Sequence, residues 1–387
     1  MRKKFIVGFL NFNFNLSGIY MHIPFCGKRC SYCDFYLITN LNIMDKFLLS
    51  LKKEISLSMD ALKNENFNTI FFGGGTPSLL SHSQIGNILD HLYKHYKISS
   101  GAEITIEANP EDFLAKNLYD YRSAGINRIS FGVQSFLNHE LKFLTRQHTA
   151  NEAEKVIAEA SKYFDNINLD IIYSLPSQTI KEIDHSLSKA IGFNVKHISA
   201  YTLTFEERTV LFKSLQRNEI KKNSDSTEAE LYDFVSHKLI SAGFKHYEVS
   251  NFAIEKFECS HNLKYWNYNN YVGFGPSSHS MVNGERWNNF RDIIKYNSLL
   301  ERDIVPVEQK YKLNFEQKKL EYLMLALRSS GLIFVKYKEI FQEDPEEVFS
   351  NSMKGLIRND YATMSDGIFR LNEKGYAIAD EIVAKYF

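Results

Sequence analysis

The stretch GIYMHIPFCGKRCSYCDF (residues 18–35) joins a strand-like apolar run to a tight loop that carries three of the four cysteines in the chain. Cys26, Cys30 and Cys33 follow a C-x3-C-x2-C spacing. They are too crowded for a disulfide framework to use all three, and a structural zinc site needs four ligands, usually in two separated pairs. Three thiolates on one loop suit an iron–sulfur cube whose fourth iron takes a non-protein ligand. Incidental buried cysteines, or a zinc site that borrows a distant histidine or Cys259, are the alternatives.

Beyond this loop, apolar strand-like runs alternate six times with helical stretches. The runs span residues 18–25, 68–75, 103–110, 128–135, 167–177 and 197–204, and the helical stretches span 42–63, 83–96, 111–124, 137–163, 179–192 and 225–242. Such alternation predicts parallel strands joined by right-handed crossovers, and six units suit a barrel better than a short open sheet. The predicted fold is α/β, a partial TIM-like (β/α)6 barrel over residues 18–251.

The rest of the chain predicts three further regions. Residues 1–17 form an N-terminal extension, and residues 252–312 form an aromatic, Asn-rich loop region that contains CSHNLKYWNYNNYVGFGPSSHS (259–280). Residues 313–387 predict a smaller helical domain, winged-helix-like because the short strand GIFRL (367–371) leads into a final helix. This domain mixes lysines with many acidic residues, which favours a packing role over DNA binding.

Composition excludes several classes of protein. Lys plus Arg and Asp plus Glu both number 46, so no chain-wide positive field exists to hold nucleic acid. No window of 18 consecutive apolar residues occurs, so no transmembrane span is expected. The apolar run 6–10 is too short for a secretory signal. The three crowded cysteines, which do not fit a disulfide framework, predict a reducing, cytoplasmic location. Import into an organelle is the alternative, because the first acidic residue is Asp34.

Polar and glycine-rich segments fall where the predicted strands end. GGGTP (73–77) follows the second strand, and Glu107, Gln134 and Asp170 lie near the ends of the third, fourth and fifth. The carboxyl ends of parallel strands are where α/β folds place their chemistry. The glycines permit close backbone approach and offer N–H groups to a carboxylate, and Thr76 adds a hydroxyl. An ordinary tight turn is the alternative for this segment.

These motifs together resemble the radical S-adenosylmethionine superfamily. Within it, HIPFCGKRCSYCDF, FFGGGTPSLL, TIEANPED, FGVQSF, LDIIYSLPSQT and CSHNLKYWNYNNYVGFGPSSHS resemble the HemN/HemW group, which contains oxygen-independent coproporphyrinogen III oxidase and its heme-chaperone relatives. The resemblance covers nearly the whole chain from about residue 18, and the motifs occur in the order typical of the group. It implies a radical S-adenosylmethionine barrel.

One departure separates the two branches of the group. The oxidase carries a further cysteine two positions after the third cluster cysteine, where this chain has Phe35. This favours the chaperone branch, as does the H-N-x-x-Y-W motif, His261, Asn262, Tyr265 and Trp266. The resemblance then implies binding of a 4Fe-4S cluster, S-adenosylmethionine and heme, with heme passed to a respiratory hemoprotein. An oxidase, or a radical enzyme on an unknown substrate, are the alternatives, and the electron donor and oligomeric state stay open.

The resemblance also implies roles for individual residues. Cys26, Cys30 and Cys33 would hold the cluster, whereas contacts to S-adenosylmethionine fall to Tyr20, Tyr32, Gly74, Gly75, Thr76, Glu107, Gln134, Arg146 and Asp170. For each of these polar side chains, an ordinary satisfied strand-end group is the alternative. His22 is expected to pack or hydrogen-bond beside the loop that carries the three cysteines (residues 26–33, the cluster loop). His279 lies by a Gly-rich turn that approaches the cofactor.

The heme candidates come from the aromatic loop region. His261 or Cys259 would supply an axial ligand, since imidazole and thiolate both bind heme iron. Tyr265 and Trp266 would stack on the flat macrocycle. The alternative is that His261 and Trp266 anchor this loop into the mouth of the barrel.

Overall fold

The computed structural model describes residues 16–114 and 116–387, so the predicted N-terminal extension lies outside the described residues except for its last two positions. Six parallel strands form the centre of the main sheet and are hydrogen-bonded in chain order. They are β1 (Leu16–Ile23), β2 (Asn66–Gly74), β3 (Lys97–Ala108), β4 (Arg128–Gln134), β5 (Asn166–Tyr173) and β6 (His197–Thr202). This is the six-stranded parallel arrangement that the sequence predicts.

Short strands extend both edges of this sheet to twelve strands. On the β6 side they are β7 (Lys245–Glu248) and β8 (Asn251–Ala253), and on the β1 side they are β9 (Tyr271–Phe274), β10 (His279–Val282), β11 (Glu285–Asn289) and β12 (Val307–Lys312). Strand β9 pairs in parallel with β1, whereas β8 pairs antiparallel with β6. The sheet therefore runs from β12 to β7 as a partial barrel that does not close on itself.

Helices follow the strands, and most of them cover the outside of the sheet. They are α1 (Met44–Leu57), α2 (Met59–Leu62), α3 (His82–His95), α4 (Pro110–Phe113), α5 (Leu118–Ser123), α6 (Asn138–Phe143), α7 (Ala150–Ala160), α8 (Ile180–Gly192), α9 (Val210–Gln216), α10 (Asp225–Ser241), α11 (Ser260–Trp266) and α12 (Ile293–Glu301), with 3-10 turns at Leu41–Ile43 and Pro77–Leu79. Capping boxes at Ser81, Thr149 and Thr179 begin α3, α7 and α8 by satisfying free N–H groups. Because helices cover one face and the barrel interior the other, all seven residues of β4 are buried.

The C-terminal region has an apolar core of its own, which includes Leu323, Tyr337, Leu356 and Phe369. Its elements are α13 (Phe315–Leu327), β13 (Leu332–Ile333), α14 (Phe334–Phe341), α15 (Pro345–Val348), α16 (Ser350–Arg358), β14 (Ala362–Ser365), β15 (Ile368–Leu371), α17 (Glu373–Ala377) and α18 (Ala379–Tyr386). Its three strands pair antiparallel in the order β13-β15-β14. Throughout the described part of the chain, no helix has the length and apolar character needed to cross a membrane.

Helix α11 lies at the amino ends of the parallel strands, opposite the cluster loop. The Lys264 ammonium on α11 donates to the Leu16 carbonyl at the start of β1, at 2.8 Å, and Gly18 N–H donates to the carbonyl of Asn270, at 3.1 Å. The cluster loop, in contrast, follows Ile23 at the carboxyl end of the same strand. The alternative that His261 anchors this segment into the barrel therefore agrees with its burial and hydrogen bonds, but the anchoring is at the amino end of the barrel and not at the end that carries the cluster loop. Because β9 runs parallel to β1, the chain returns to the amino end before β9 begins, and α11 closes that end.

Candidate cofactor site

The cluster loop is held in place by hydrogen bonds along its own backbone. Cys26 N–H donates to the Ile38 carbonyl at 3.0 Å, and Ile38 N–H donates to the Pro24 carbonyl at 2.7 Å, which closes the loop beside the end of β1. The Arg29 guanidinium donates to the carbonyls of Cys33, Phe35 and Leu37, at 3.2, 3.3 and 3.1 Å. The three cysteines are therefore presented on one ordered loop.

The three thiols keep few protein partners. Cys26 is buried, whereas Cys30 and Cys33 are half-buried. The Thr76 hydroxyl donates to Cys26 Sγ at 3.1 Å, and the Arg146 guanidinium contacts Cys30 Sγ at 3.6 Å. Burial raises the pKa of the Cys33 thiol, and the nearby Cys30 and Cys26 add to the shift. These donors suit sulfurs that carry negative charge, which is the state that a metal-bound thiolate takes.

The turn after β2 lies directly against the residues that precede the cluster loop. Gly75 N–H donates to the Ile23 carbonyl at 2.8 Å, and Thr76 N–H donates to the Phe25 carbonyl at 2.6 Å. A Cβ atom on Gly75 would lie 2.5 Å from the Phe25 carbonyl oxygen, so only glycine fits there. The interpretation that the glycine N–H groups face a ligand carboxylate is wrong for Gly75, because the Ile23 carbonyl accepts its hydrogen bond. The Thr76 hydroxyl, which was expected to contribute to the site, donates to Cys26 Sγ.

Gly74 has a different role in the same turn. Its φ of 111° is in the region that favours glycine, and a Cβ would lie 2.7 Å from the His22 ring. Its N–H donates to Glu107 Oε2 at 3.2 Å. The His22 ring contacts the Tyr36 carbonyl through Nε2 at 2.9 Å, and burial lowers the pKa of His22 to about 4. His22 is therefore a neutral packing residue beside the cluster loop, as predicted.

Arg146 joins the cluster loop to the ends of β3 and β4. Its Nη2 donates to Asn109 Oδ1 at 2.5 Å and to the Gly132 carbonyl at 2.8 Å. Gln134 lies beside this group, since a Cβ on Gly132 would be 2.9 Å from the Gln134 amide nitrogen. Tyr32 is half-buried near Arg146; burial raises the pKa of this phenol, and the guanidinium works in the opposite direction. The structure thus brings Tyr32, Gln134 and Arg146 together.

The carboxyl ends of the parallel strands, with the cluster loop and the turn after β2, form the rim of the barrel. A cavity of about 220 Å³ occupies the barrel interior between this rim and α11. Its wall is formed by Tyr20, Phe71, Glu107, Arg128, Ser130, Asn168, Asp170, Ser199, Tyr201, His261, Asn262 and Tyr265. Burial raises the pKa of Glu107 to about 7, and the neighbouring Asp170 carboxylate adds to the shift. Burial also raises the pKa of Asp170, although the Asn168 amide donates to it at 2.7 Å. Three predicted contact residues, Tyr20, Glu107 and Asp170, therefore face one polar space.

At the other end of this cavity, the heme-ligand candidates are already engaged. His261 contacts the Thr69 hydroxyl through Nδ1 and the Tyr265 hydroxyl through Nε2, both at 2.8 Å, and its ring stacks on Phe71. Burial lowers the pKa of His261 to about 3. Cys259 is fully buried, and burial raises the pKa of its thiol to about 12. The expectation that one of these two residues offers a heme-iron ligand is not supported by this geometry, because neither has a free, accessible donor atom.

Helix α11 is fixed by an acidic residue from β3. Glu103 accepts the N–H groups of Ser260 and His261, each at 3.1 Å, at the start of the helix. Tyr265 reaches the cavity wall, whereas Trp266 is half-buried and is not part of that wall. His279 lies exposed at the start of β10. Of the aromatic motif, His261, Asn262 and Tyr265 therefore line the cavity, and Trp266 does not.

Sequence reasoning did not identify several residues of the cavity wall as candidates. They are Arg128, Ser130, Asn168, Ser199 and Tyr201. Each lies within a strand whose side chains alternate between helices and barrel interior, so period-2 alternation in β4, β5 and β6 was the available signal. Arg128 is the first residue of β4, where a charged side chain before a buried run ordinarily predicts a solvent-exposed strand end.

Comparison with known proteins agrees with this geometry. The model of the radical SAM superfamily matches residues 20–190. The heme chaperone HemW of Bacillus subtilis is 32% identical over 376 residues, which cover 96% of this chain and 99% of that protein. The heme chaperone HemW of Buchnera aphidicola is 33% identical over 366 residues, 92% and 95% of the two chains. The chain belongs to the HemN/HemW group of the radical S-adenosylmethionine superfamily.

A solved structure supports the same group at the level of the fold. Coproporphyrinogen III oxidase HemN from Escherichia coli superposes with a TM-score of 0.81, at 20% identity, over 96% of this chain and 89% of that chain. The predicted α/β radical S-adenosylmethionine fold is therefore confirmed.

The superfamily implies a 4Fe-4S cluster and S-adenosylmethionine. The donor set fits such a cluster, because the loop presents three thiols with hydrogen-bond donors to Cys26 and Cys30, while Cys259 lies at the opposite end of the barrel. The cavity beneath the rim fits a cationic ligand, because Glu107 and Asp170 face into it.

Proposed function

We propose that this protein is a heme chaperone of the HemW type, which binds a 4Fe-4S cluster, S-adenosylmethionine and heme and transfers heme to a respiratory hemoprotein. The observation that carries the proposal is the similarity to proteins named heme chaperone HemW along almost the whole length of both chains. Phe35 supports it, because this side chain is 67% exposed at the position where the oxidase carries its additional cysteine. A cytoplasmic location accompanies this proposal.

The residues of the rim would hold the cofactors. Cys26, Cys30 and Cys33 would bind three irons of the cluster, and the fourth iron would take S-adenosylmethionine. When bound and reduced, the cluster supplies the electron for cleavage of that sulfonium. Contacts to S-adenosylmethionine would come from Tyr20, Tyr32, Gly74, Gly75, Thr76, Glu107, Gln134, Arg146 and Asp170. In these contacts Glu107 and Asp170 would balance the positive sulfonium.

Heme would be bound from the barrel interior, with Tyr265 as its contact on α11. His261 would act as a positioning residue for Tyr265, because its Nε2 is hydrogen-bonded to the Tyr265 hydroxyl at 2.8 Å. Cys259 would remain a buried thiol at the start of α11. Trp266 is a candidate for contact outside the cavity, where a partner or the macrocycle edge would meet it.

A second candidate function is oxidative decarboxylation of coproporphyrinogen III. The observation that favours it is the likeness of the whole fold to the HemN structure. The absence of a cysteine at Phe35 argues against it.

Two assays on anaerobically reconstituted protein separate these functions. Titration with ferric heme, followed by the Soret absorbance, should show saturable binding, and incubation with coproporphyrinogen III, reductant and S-adenosylmethionine should leave the substrate unchanged. Transfer is then measured as a shift of the Soret band toward that of the holo-acceptor when apo-hemoprotein of a respiratory complex is added. Turnover to protoporphyrinogen without heme binding would overturn the chaperone proposal.

A further inference from the structure

Arg128 is a buried cation whose Nε–H has no hydrogen-bond partner among the described residues. The side chain is 2% exposed, and its Nε–H has no acceptor. Across residues 16–114 and 116–387, no hydrogen bond or ion pair within 4.0 Å joins its guanidinium to another side chain, although Glu103 and Asp170 exert a favourable charge interaction from further away. A buried guanidinium is costly unless hydrogen bonds and a counter-charge compensate it. The groups around Arg128 therefore indicate whether it has a structural or a binding role.

Neighbouring polar groups have partners of their own. Asn168 donates to Asp170 and to Ser130, each at 2.7 Å, and accepts from Ser199 at 3.2 Å. Both oxygens of Glu103 accept N–H groups at the start of α11, at 3.1 Å. The wall around Arg128 is thus largely satisfied, whereas the guanidinium is not.

Arg128 lies on the wall of the 220 Å³ cavity, at its α11 end. Strand register places Glu107 opposite Ser130, so Arg128 lies two residues, about 7 Å, nearer to the amino end. A cavity of this size is smaller than the sites that enclose whole drug-sized ligands, at roughly 300–1,000 Å³. It suits one arm of a larger molecule that enters from the rim.

We propose that Arg128 is the binding site for a carboxylate arm of the small molecule that occupies the barrel interior. The planar guanidinium forms paired hydrogen bonds with a carboxylate, and its buried position makes the charge-assisted pair strong. Glu107 and Asp170, one layer above, would meet a cationic or neutral part of the same molecule. The inference rests on the proposed function, because the carboxylate would be a heme propionate; the amino-acid end of S-adenosylmethionine belongs at the cluster, at the opposite end of the barrel.

Esterified ligand tests the propionate source. Reconstituted wild-type protein, Arg128→Met and a control, Arg217→Met at an exposed position, are titrated with ferric heme and with ferric heme dimethyl ester. Arg128→Met should weaken heme binding about tenfold or more, the range of a lost charge-assisted hydrogen bond. The dimethyl ester should bind equally to wild type and Arg128→Met, and Arg217→Met should match wild type throughout.

A parallel calorimetric titration with S-adenosylmethionine is the specificity control. Affinity for S-adenosylmethionine should be equal in wild type and Arg128→Met, because its amino-acid end belongs at the cluster. Equal heme affinity in wild type and Arg128→Met overturns the inference alone. If wild-type protein binds no heme, the proposed function and the inference fail together.

Thermal unfolding separates a binding role from a structural one. A structural cation would stabilise the ligand-free protein, so its removal would lower the melting temperature. Because no described residue pairs with the guanidinium within 4.0 Å and the more distant carboxylates only partly offset its burial, Arg128→Met should leave that temperature unchanged or raise it, and the increase in melting temperature that ligand causes should shrink. Should Arg128→Met fail to fold, Arg128→Lys keeps the charge but loses the planar fork, and it should still weaken binding of the carboxylate ligand; wild-type affinity in that variant contradicts the inference.

Discussion

The two ends of the barrel carry similar residue types that differ in burial and in hydrogen bonding. At the carboxyl end, Cys30 and Cys33 are half-buried on a loop. At the amino end, Cys259 is fully buried and His261 is hydrogen-bonded through both ring nitrogens. Thiol and imidazole are potential metal ligands in both places, but only the rim leaves donor atoms accessible. Residue type therefore identifies potential metal ligands. Burial and the remaining hydrogen-bonding capacity then distinguish metal ligands from residues that only anchor the structure.

The largest expected effect comes from replacing one cysteine at each end by alanine. Cys30→Ala should abolish the visible absorbance and the bound iron and sulfide of the anaerobically reconstituted protein, because three thiolates are the minimum donor set of the loop. Cys259→Ala, the matched control, should retain a full complement of both. Iron and sulfide assays on both variants decide the matter, and a full cluster in Cys30→Ala would contradict the ligand assignment.

Replacement of His261 tests the anchoring role of α11. His261→Ala should lower the free energy of unfolding by about 2–4 kcal/mol, because it leaves a cavity and removes partners from the Thr69 and Tyr265 hydroxyls. The exposed His279→Ala should change it by less than about 0.5 kcal/mol. Urea denaturation measures both. Unchanged stability in His261→Ala, with loss of the heme iron's axial-ligand spectrum, would instead restore His261 as a ligand.

How much was predictable also differs between the two ends. The cluster loop was predictable from sequence because its chemistry is local: three cysteines share one loop. The need for glycine at position 75 was not, because it depends on the Phe25 carbonyl, about 50 residues away in sequence. The structure of the amino end was not predictable, because the position of α11 depends on the parallel pairing of β9 with β1 across about 250 residues. Arg128 was missed for a similar reason, since only the assembled barrel shows that a strand's first residue faces inward.

Glu107, between the two ends, predicts a pH effect on ligand binding. Its pKa of about 7 exceeds the value of about 4.3 of an unfolded glutamate, so the folded chain holds the additional proton between these pH values. The free energy of unfolding therefore falls as pH rises through this window. Affinity for the sulfonium cation should change in the opposite direction, rising up to about tenfold from pH 6 to pH 8 as the carboxylate ionises.

Calorimetric titration of reconstituted protein with S-adenosylmethionine at pH 6, 7 and 8 measures this dependence. Glu107→Gln is the control, because it keeps the volume and an acceptor for Gly74 N–H but does not titrate. Any ionisation of the ligand's own amino group appears in both proteins, so the difference between them isolates Glu107. An identical pH profile in the two proteins would rule out a role for this carboxylate in cation binding.

The smallest effect compares two threonines, one at each end. Thr76 donates to Cys26 Sγ at 3.1 Å, and Thr69 bonds to His261 Nδ1 at 2.8 Å. A hydrogen bond to a cluster sulfur stabilises the reduced, more negative state, so Thr76→Val should assemble a cluster with a midpoint potential lower by about 40 mV, equivalent to about 1 kcal/mol for one electron. Thr69→Val should reduce stability by about 1 kcal/mol and leave the potential unchanged. Redox titration monitored by electron paramagnetic resonance distinguishes them; equal potentials in both variants would mean that the Thr76 hydroxyl does not contact the sulfur of the assembled cluster.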